Sequence, residues 1–193
     1  MSGRDCLFPI GNGASDLFPT RVADATPSET IMLKFIQAKH HSELSSVRID
    51  AIRWCHRKIP LSRGRHVTGR YSPGPGKSAI RYESLAERKA MEHFLALPGV
   101  HAVLSQPFTV EFSISGIRRR YTPDLLVVAD PLPFHLVRNG FGALTVLEVK
   151  ATFDPHSRAL LDFKLQLVTH ATGLPAMFAV PLRKDGSEVH HAP

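Results

Sequence analysis

Tyr121-Thr122-Pro123-Asp124 and, further along, Leu147-Glu148-Val149-Lys150 are the two stretches on which the fold turns. Each adjoins a run of strand-forming residues: Leu125, Leu126, Val127 and Val128 follow Asp124, and residues 143–149 lead up to Lys150. Short apolar runs of this kind predict buried strands. Side chains at i and i+2 of a strand share a face, so Glu148 and Lys150 project together while Val149 points into the core. An acid and a base are thereby placed side by side at the end of a strand.

Working outward, Phe108, Val110, Phe112 and Ile114 alternate with Thr109, Glu111 and Ser113, the period-2 signature of a half-buried strand. Ser115-Gly116 turns the chain, and 118–128 reads as the partner strand of a hairpin. Upstream, 84–97 reads as a helix with Leu85, Met91, Phe94 and Leu95 at helical spacing, ended by Pro98-Gly99. Downstream, a Pro- and Gly-containing excursion over 130–142 precedes the strand at 143–149. Pro155 then opens a helix to 172, with Leu160, Leu161, Leu165 and Val168 as its apolar side, and 175–180 reads as a last short strand. The order helix, three strands, helix, strand implies an α/β fold: a mixed sheet flanked by helices, with a parallel crossover at its end.

The first 79 residues read as an N-terminal helical and basic extension. Residues 1–28 form a loosely ordered arm rich in Gly, Pro, Ser and Asp. Ser28 is placed to cap a helix from Glu29, with Ile31, Phe35 and Ile36 on one side, and a second helical stretch runs from Val47 to Trp54. Between residues 57 and 77 stand Arg57, Lys58, Arg63, Arg65, Arg70 and Lys77 with no acidic residue, a basic linker that either lies on a polyanion or is simply solvated. Gly74-Pro75-Gly76-Lys77-Ser78 is not a nucleotide loop, because Tyr71 stands where the pattern requires glycine and no strand precedes it. The division is therefore 1–79 extension, 80–185 core and 186–193 tail.

A net charge of +7 over 193 residues favours a polyanionic partner, since clustered Lys and Arg release counterions from phosphates. Two cysteines, Cys6 and Cys55, form neither a CxxC pair nor a disulfide framework, and no apolar run approaches membrane-spanning length. The expectation is a soluble cytoplasmic protein.

Charged groups among apolar strands need compensation, because desolvated carboxylates repel one another. Mg²⁺ or Mn²⁺ meets that need, taking oxygen ligands and activating water at a phosphate. Plainer readings exist: Asp124 as a turn residue after proline, and Glu148 with Lys150 as an ion pair on an edge strand. Asp162 and Lys164 diverge on a helix and make no rival motif, and the histidines lack zinc-ligand spacing.

A Pro-Asp pair followed by Glu-x-Lys on the adjoining strand resembles the motif of PD-(D/E)xK nucleases. Glu83-Ser84-Leu85-Ala86-Glu87, Pro98-Gly99-Val100, Gln106-Pro107 and Arg118-Arg119-Arg120-Tyr121-Thr122-Pro123-Asp124 are similar to the successive landmarks of TnsA-type transposon endonucleases, over residues 83–182. The resemblance implies a restriction-endonuclease-like fold and a metal-dependent DNA endonuclease cutting at transposon ends. It assigns Glu87 as the helix-borne acid, Asp124 as the central metal ligand, Glu148 as the second carboxylate, Lys150 as the catalytic lysine and the Val149 carbonyl as a further metal ligand. Gln106 either braces the strands or touches substrate. Arg118, Arg119 and Arg120, with Arg63, Arg65 and Arg70 of the linker, are the candidate DNA contacts, or else solvate a hairpin end and a connector. Double-stranded DNA, a recombinase or transposase subunit and an ATP-dependent regulator are the implied partners. A phage or restriction/repair nuclease, and a DNA-binding assembly factor without cleavage, are the rival readings. Relatives of this type carry extra residues after the core; here the additional residues precede it, and a loop is inserted around 130–142.

Overall fold

Pro123 decides where the chain changes sheets. Lacking an N–H, it cannot continue a ladder, and the single strand expected over 118–128 is two strands lying in different sheets. The computed structural model describes residues 33–37, 42–54, 67–152 and 154–182. In chain order these form β1 (Leu33–Gln37), a 3-10 turn, β2 (Val47–Arg53), β3 (Gly69–Tyr71), β4 (Ile80–Tyr82), α1 (Leu85–Leu95), β5 (Val100–Ser105), β6 (Thr109–Ile114), β7 (Ile117–Tyr121), β8 (Leu125–Ala129), α2 (Phe134–Arg138), β9 (Leu144–Val149), a second 3-10 turn, α3 (Arg158–Thr172) and β10 (Ala176–Pro181).

The main sheet has the order β1-β10-β9-β8-β5. Only β9 and β10 run parallel in it, joined through α3 as the sequence order predicts. One face is closed by α1, whose Ala90, Met91 and Phe94 pack with Val103, Leu125, Val127, Leu147 and Val149. The other face carries Leu126 and Val146 against Leu167 and Val168 of α3 and against a second sheet, β2-β6-β7, through Phe108, Val110 and Phe112. The fold is thus a mixed α/β sandwich.

The β6–β7 hairpin forms as expected, with Ser115 and Gly116 both at positive φ (50° and 79°), the two-residue turn that suits strand twist. Two helix expectations fail. Residues 33–37 and 47–53, predicted helical, are strands: β1 pairs with β10 and β2 with β6. Short apolar runs do not distinguish helix from strand by periodicity, and here the β-branched Val47, Ile49 and Ile52 and two available sheet edges settle the matter. Chain before residue 80 therefore builds into both sheets. In addition, β5, the β3–β4 hairpin and α2 go beyond the sequence reading; β3 puts a strand before residues 74–78 where none was expected, which leaves Tyr71 in place of the required glycine as the departure from a nucleotide loop. The arm over 1–28, the cap at Ser28, the linker residues Arg63 and Arg65 and the tail 186–193 lie outside the described residues. Among the described residues no helix is long and apolar enough to cross a membrane.

Candidate active site

Leu125 pairs with Leu147 and Leu126 with Val146, in an antiparallel register that sets Asp124, one step beyond β8, opposite Glu148. Directly opposed residues of an antiparallel pair project to the same side. The Asp124 carboxylate accepts a hydrogen bond from the Val149 backbone N–H at 2.7 Å, which ties the loop after Pro123 to the end of β9. Gln106 holds the same loop from the other side: its N–H donates to the Asp124 carbonyl at 2.8 Å. Gln106 is itself at φ 46°, and its side-chain Oε1 is buried with no hydrogen-bond partner among the described residues. A strained residue with an unsatisfied acceptor is a feature that clusters at functional sites. Of the two roles open to Gln106, the backbone contact is a bracing one.

Glu148 is 3% exposed, yet three donors reach it. The Lys150 ammonium donates to Oε1 at 2.7 Å and the Lys164 ammonium to the same oxygen at 3.1 Å, while the Tyr121 hydroxyl donates to Oε2 at 2.5 Å. Burial works to raise the Glu148 pKa, but Lys150, Tyr121 and Lys164 outweigh it, and the carboxyl is held below its usual value. Burial likewise opposes the charge on Lys150, and Glu148, Asp124 and Glu87 more than compensate, so the ammonium is retained. Asp124 goes the other way. Burial, then the charges of Glu148 and Glu87, push its carboxyl up to about 8, against the partial relief given by the Val149 N–H and Lys150. The facing pair is thus split, Glu148 favouring its ionised form and Asp124 its protonated one.

Glu87 sits in the first turn of α1, where it bonds the Ser84 N-cap in a variant of the capping box that reaches the N–H of Glu83. Its N–H donates to Ser84 Oγ at 3.1 Å, its Oε1 accepts from the Ser84 hydroxyl at 3.0 Å and its Oε2 accepts from the Glu83 N–H at 2.9 Å. Burial raises its pKa, and its charge is felt at both Asp124 and Lys150. The three acids therefore share one electrostatic site, with both oxygens of Glu87 and of Glu148 and the Oδ2 of Asp124 engaged, and among the described residues no three His, Cys, Asp or Glu side chains stand together as a ready ligand set. Asp124 and Glu148 fit a hard divalent cation by donor chemistry: two carboxylates suffice for Mg²⁺ when phosphate and water complete its shell, and their mutual repulsion, visible in Asp124, is what such an ion would relieve. Val149 contributes its N–H to Asp124, a contact separate from the carbonyl role that the resemblance implies.

The arginines divide by face. Arg119 pairs with Phe112, on the packed side of β7 that also carries Tyr121. Arg118 and Arg120 pair with Ser113 and Glu111 on the opposite side, where Arg120 and Arg53 reach Glu111 at 3.3 and 2.9 Å. Arg70 is exposed on β3, opposite Arg81.

Two residues joined the site without being singled out for it. These are Tyr121, which the motif contains without a role, and Lys164, whose place beside the buried stripe Leu161, Leu165 and Val168 turns its helix edge towards the sheet and is the signal the sequence offers for it. No protein-family model, curated protein or solved structure matches the chain, so its chemistry has to be argued from these residues.

Proposed function

We propose that this chain is a metal-dependent hydrolase of nucleic-acid phosphodiester bonds, with Asp124 and Glu148 holding Mg²⁺ or Mn²⁺. Within that class the order of its motifs favours a PD-(D/E)xK endonuclease of the TnsA type, with a restriction-endonuclease-like sheet, cutting double-stranded DNA at transposon ends beside a recombinase subunit and an ATP-dependent regulator. The observation that carries this reading is the opposition of Asp124 and Glu148 at adjoining strand ends, with Lys150 bonded to Glu148.

A bound cation would supply Lewis acidity towards the scissile phosphate. The residues do the rest. The Val149 N–H and Tyr121 hydroxyl fix the two carboxylates, and Lys150 provides a positive charge to meet the charge that develops on the phosphate. Water attacks phosphorus, the bond to the 3′ oxygen breaks and that oxygen takes a proton, leaving a 5′-phosphate and a 3′-hydroxyl.

Incubating the protein with supercoiled plasmid tests the assignment. Nicked and linear forms are expected with Mn²⁺ or Mg²⁺ and neither with EDTA. Plasmid that stays supercoiled under both metals while the protein retains it on a gel would replace the hydrolase with a binding factor.

Face geometry gives a second expectation. Arg119 projects on the side of Tyr121 and Glu148, whereas Arg118 and Arg120 face acidic neighbours, so Arg119→Ala should weaken DNA binding most and lower the salt slope by about 1. Fluorescence anisotropy over a salt series reads this, and equal slopes for the three alanine variants would refute the division.

A further inference from the structure

Glu148 accepts from two ammonium groups, and only one of them is needed to explain the reaction. Lys150 lies two residues along the chain, just past the end of β9, at 2.7 Å, and is held close by that short separation. Lys164 arrives from α3 across the helix–sheet packing, at the longer distance of 3.1 Å, on the same Oε1 atom. Its side chain is 27% exposed, and its ammonium also lies over the Tyr121 ring, 5.0 Å from the centroid. Both contacts are made at once, so the ring face adds to the hold on the ammonium beside Glu148.

We propose, building on the cation reading above, that Lys164 is an internal competitor for the divalent cation: its ammonium neutralises Glu148 when no cation is bound and has to withdraw before one is held. The argument is one of charge and valence. Glu148 has two oxygens, one closed by Tyr121 and the other shared by two cations. Adding a doubly charged ion without a departure would gather three cations about one buried carboxylate, and like charges in a site of low polarisability repel strongly. Lys150 cannot leave without giving up the charge assigned to the reaction. Lys164 has the longer contact, and no part in the reaction is assigned to it. It is a positioning residue, setting the cation concentration at which the site loads.

Metal affinity distinguishes this role from a structural one, because the loss of a supporting ion pair lowers affinity and the loss of a competitor raises it. Mn²⁺ binding is measured without DNA, by the electron paramagnetic resonance signal of the free ion. Lys164→Met, which keeps an apolar stem against Tyr121, is expected to bind Mn²⁺ on the order of tenfold more tightly than the unaltered protein, a coupling of ordinary size between two ligands of one site. Lys164→Arg keeps a competing cation and should stay near the original affinity. In the unaltered protein, Mn²⁺ should also increase acylation of Lys164 by an amine-directed reagent, read by peptide mass spectrometry; this arm needs no variant to fold. Mn²⁺ affinity that is unchanged or weakened in Lys164→Met, or acylation that does not rise, overturns the competitor while the cation reading stands. Failure of the unaltered protein and Lys164→Met alike to bind Mn²⁺ would remove the cation reading itself, and the inference with it.

Discussion

Asp124→Ala and Lys150→Ala are each expected to lower the rate of plasmid cleavage by at least about a hundredfold, the usual cost of deleting one preorganised charge at a reacting centre. The two losses act differently. Asp124→Ala removes one of two facing carboxylates, so excess Mn²⁺ should restore little. Lys150→Ala leaves both carboxylates and deletes the ammonium on Glu148 Oε1, so it should reduce turnover more than it weakens Mn²⁺ binding. Neither change should unfold the chain. In Asp124→Ala the Val149 N–H loses its acceptor, a cost of about 1–3 kcal/mol, but an enclosed and poorly compensated carboxyl goes with it. In Lys150→Ala, Glu148 keeps Tyr121 and Lys164. DNA affinity should hold in both, because the candidate phosphate contacts lie on β7 and before residue 80. Single-turnover cleavage, DNA binding and circular dichroism on the same preparations check this, and cleavage by either variant at the original rate would discard the proposed mechanism.

How much of this site could be read from sequence follows from the range of each contact. Glu148 and Lys150 are two apart on a strand, so their meeting follows from strand geometry alone. The hairpin at Ser115-Gly116 and the crossover between β9 and β10 are likewise local, set by a turn and by a helix between strands. Asp124 opposite Glu148 depends on register, which the apolar runs beside them leave open by a residue in either direction. Lys164 to Glu148 depends on how α3 packs after its crossover, and the useful observation that Asp162 and Lys164 diverge on a helix says nothing about what Lys164 faces alone. At 33–37 and 47–53 the sequence is ambiguous between helix and strand, and partners far along the chain, β10 and β6, decide the outcome. Proline at 123 had the opposite character: its missing N–H marks the sheet change, although the apolar run after it suggests one continuous strand.

Asp124→Asn is expected to make the metal-free protein more stable, by an amount that grows with pH. The Asp124 carboxyl, ordinarily near 3.8, is pushed up to about 8 in the folded chain, by burial first and then by Glu148 and Glu87. The folded state therefore binds this proton more tightly than the unfolded state does. The resulting stability is fully present below about 3.8, drains away as pH rises through the interval, and is gone above about 8. Asparagine mimics the protonated acid at every pH, and its Oδ1 can still accept from the Val149 N–H. Linkage over the whole interval caps the gain at about 6 kcal/mol; because Asp124 and Glu148 share their titration, about 2 kcal/mol is the expected size, a rise in melting temperature of roughly 4–8 °C for a chain of this length. Glu148→Gln should behave oppositely. Burial raises that carboxyl but Lys150 and its companions hold it low, so its charge stabilises the fold above its usual value of 4.5, and removing it should cost stability at neutral pH. Thermal melts in EDTA between pH 4 and 9 separate the two variants. The advantage of Asp124→Asn should be small near pH 4, widen to pH 8 and level off beyond; an advantage flat across that range would mean that Asp124 carries no strained charge, and that the pressure towards a divalent cation inferred from it is not there.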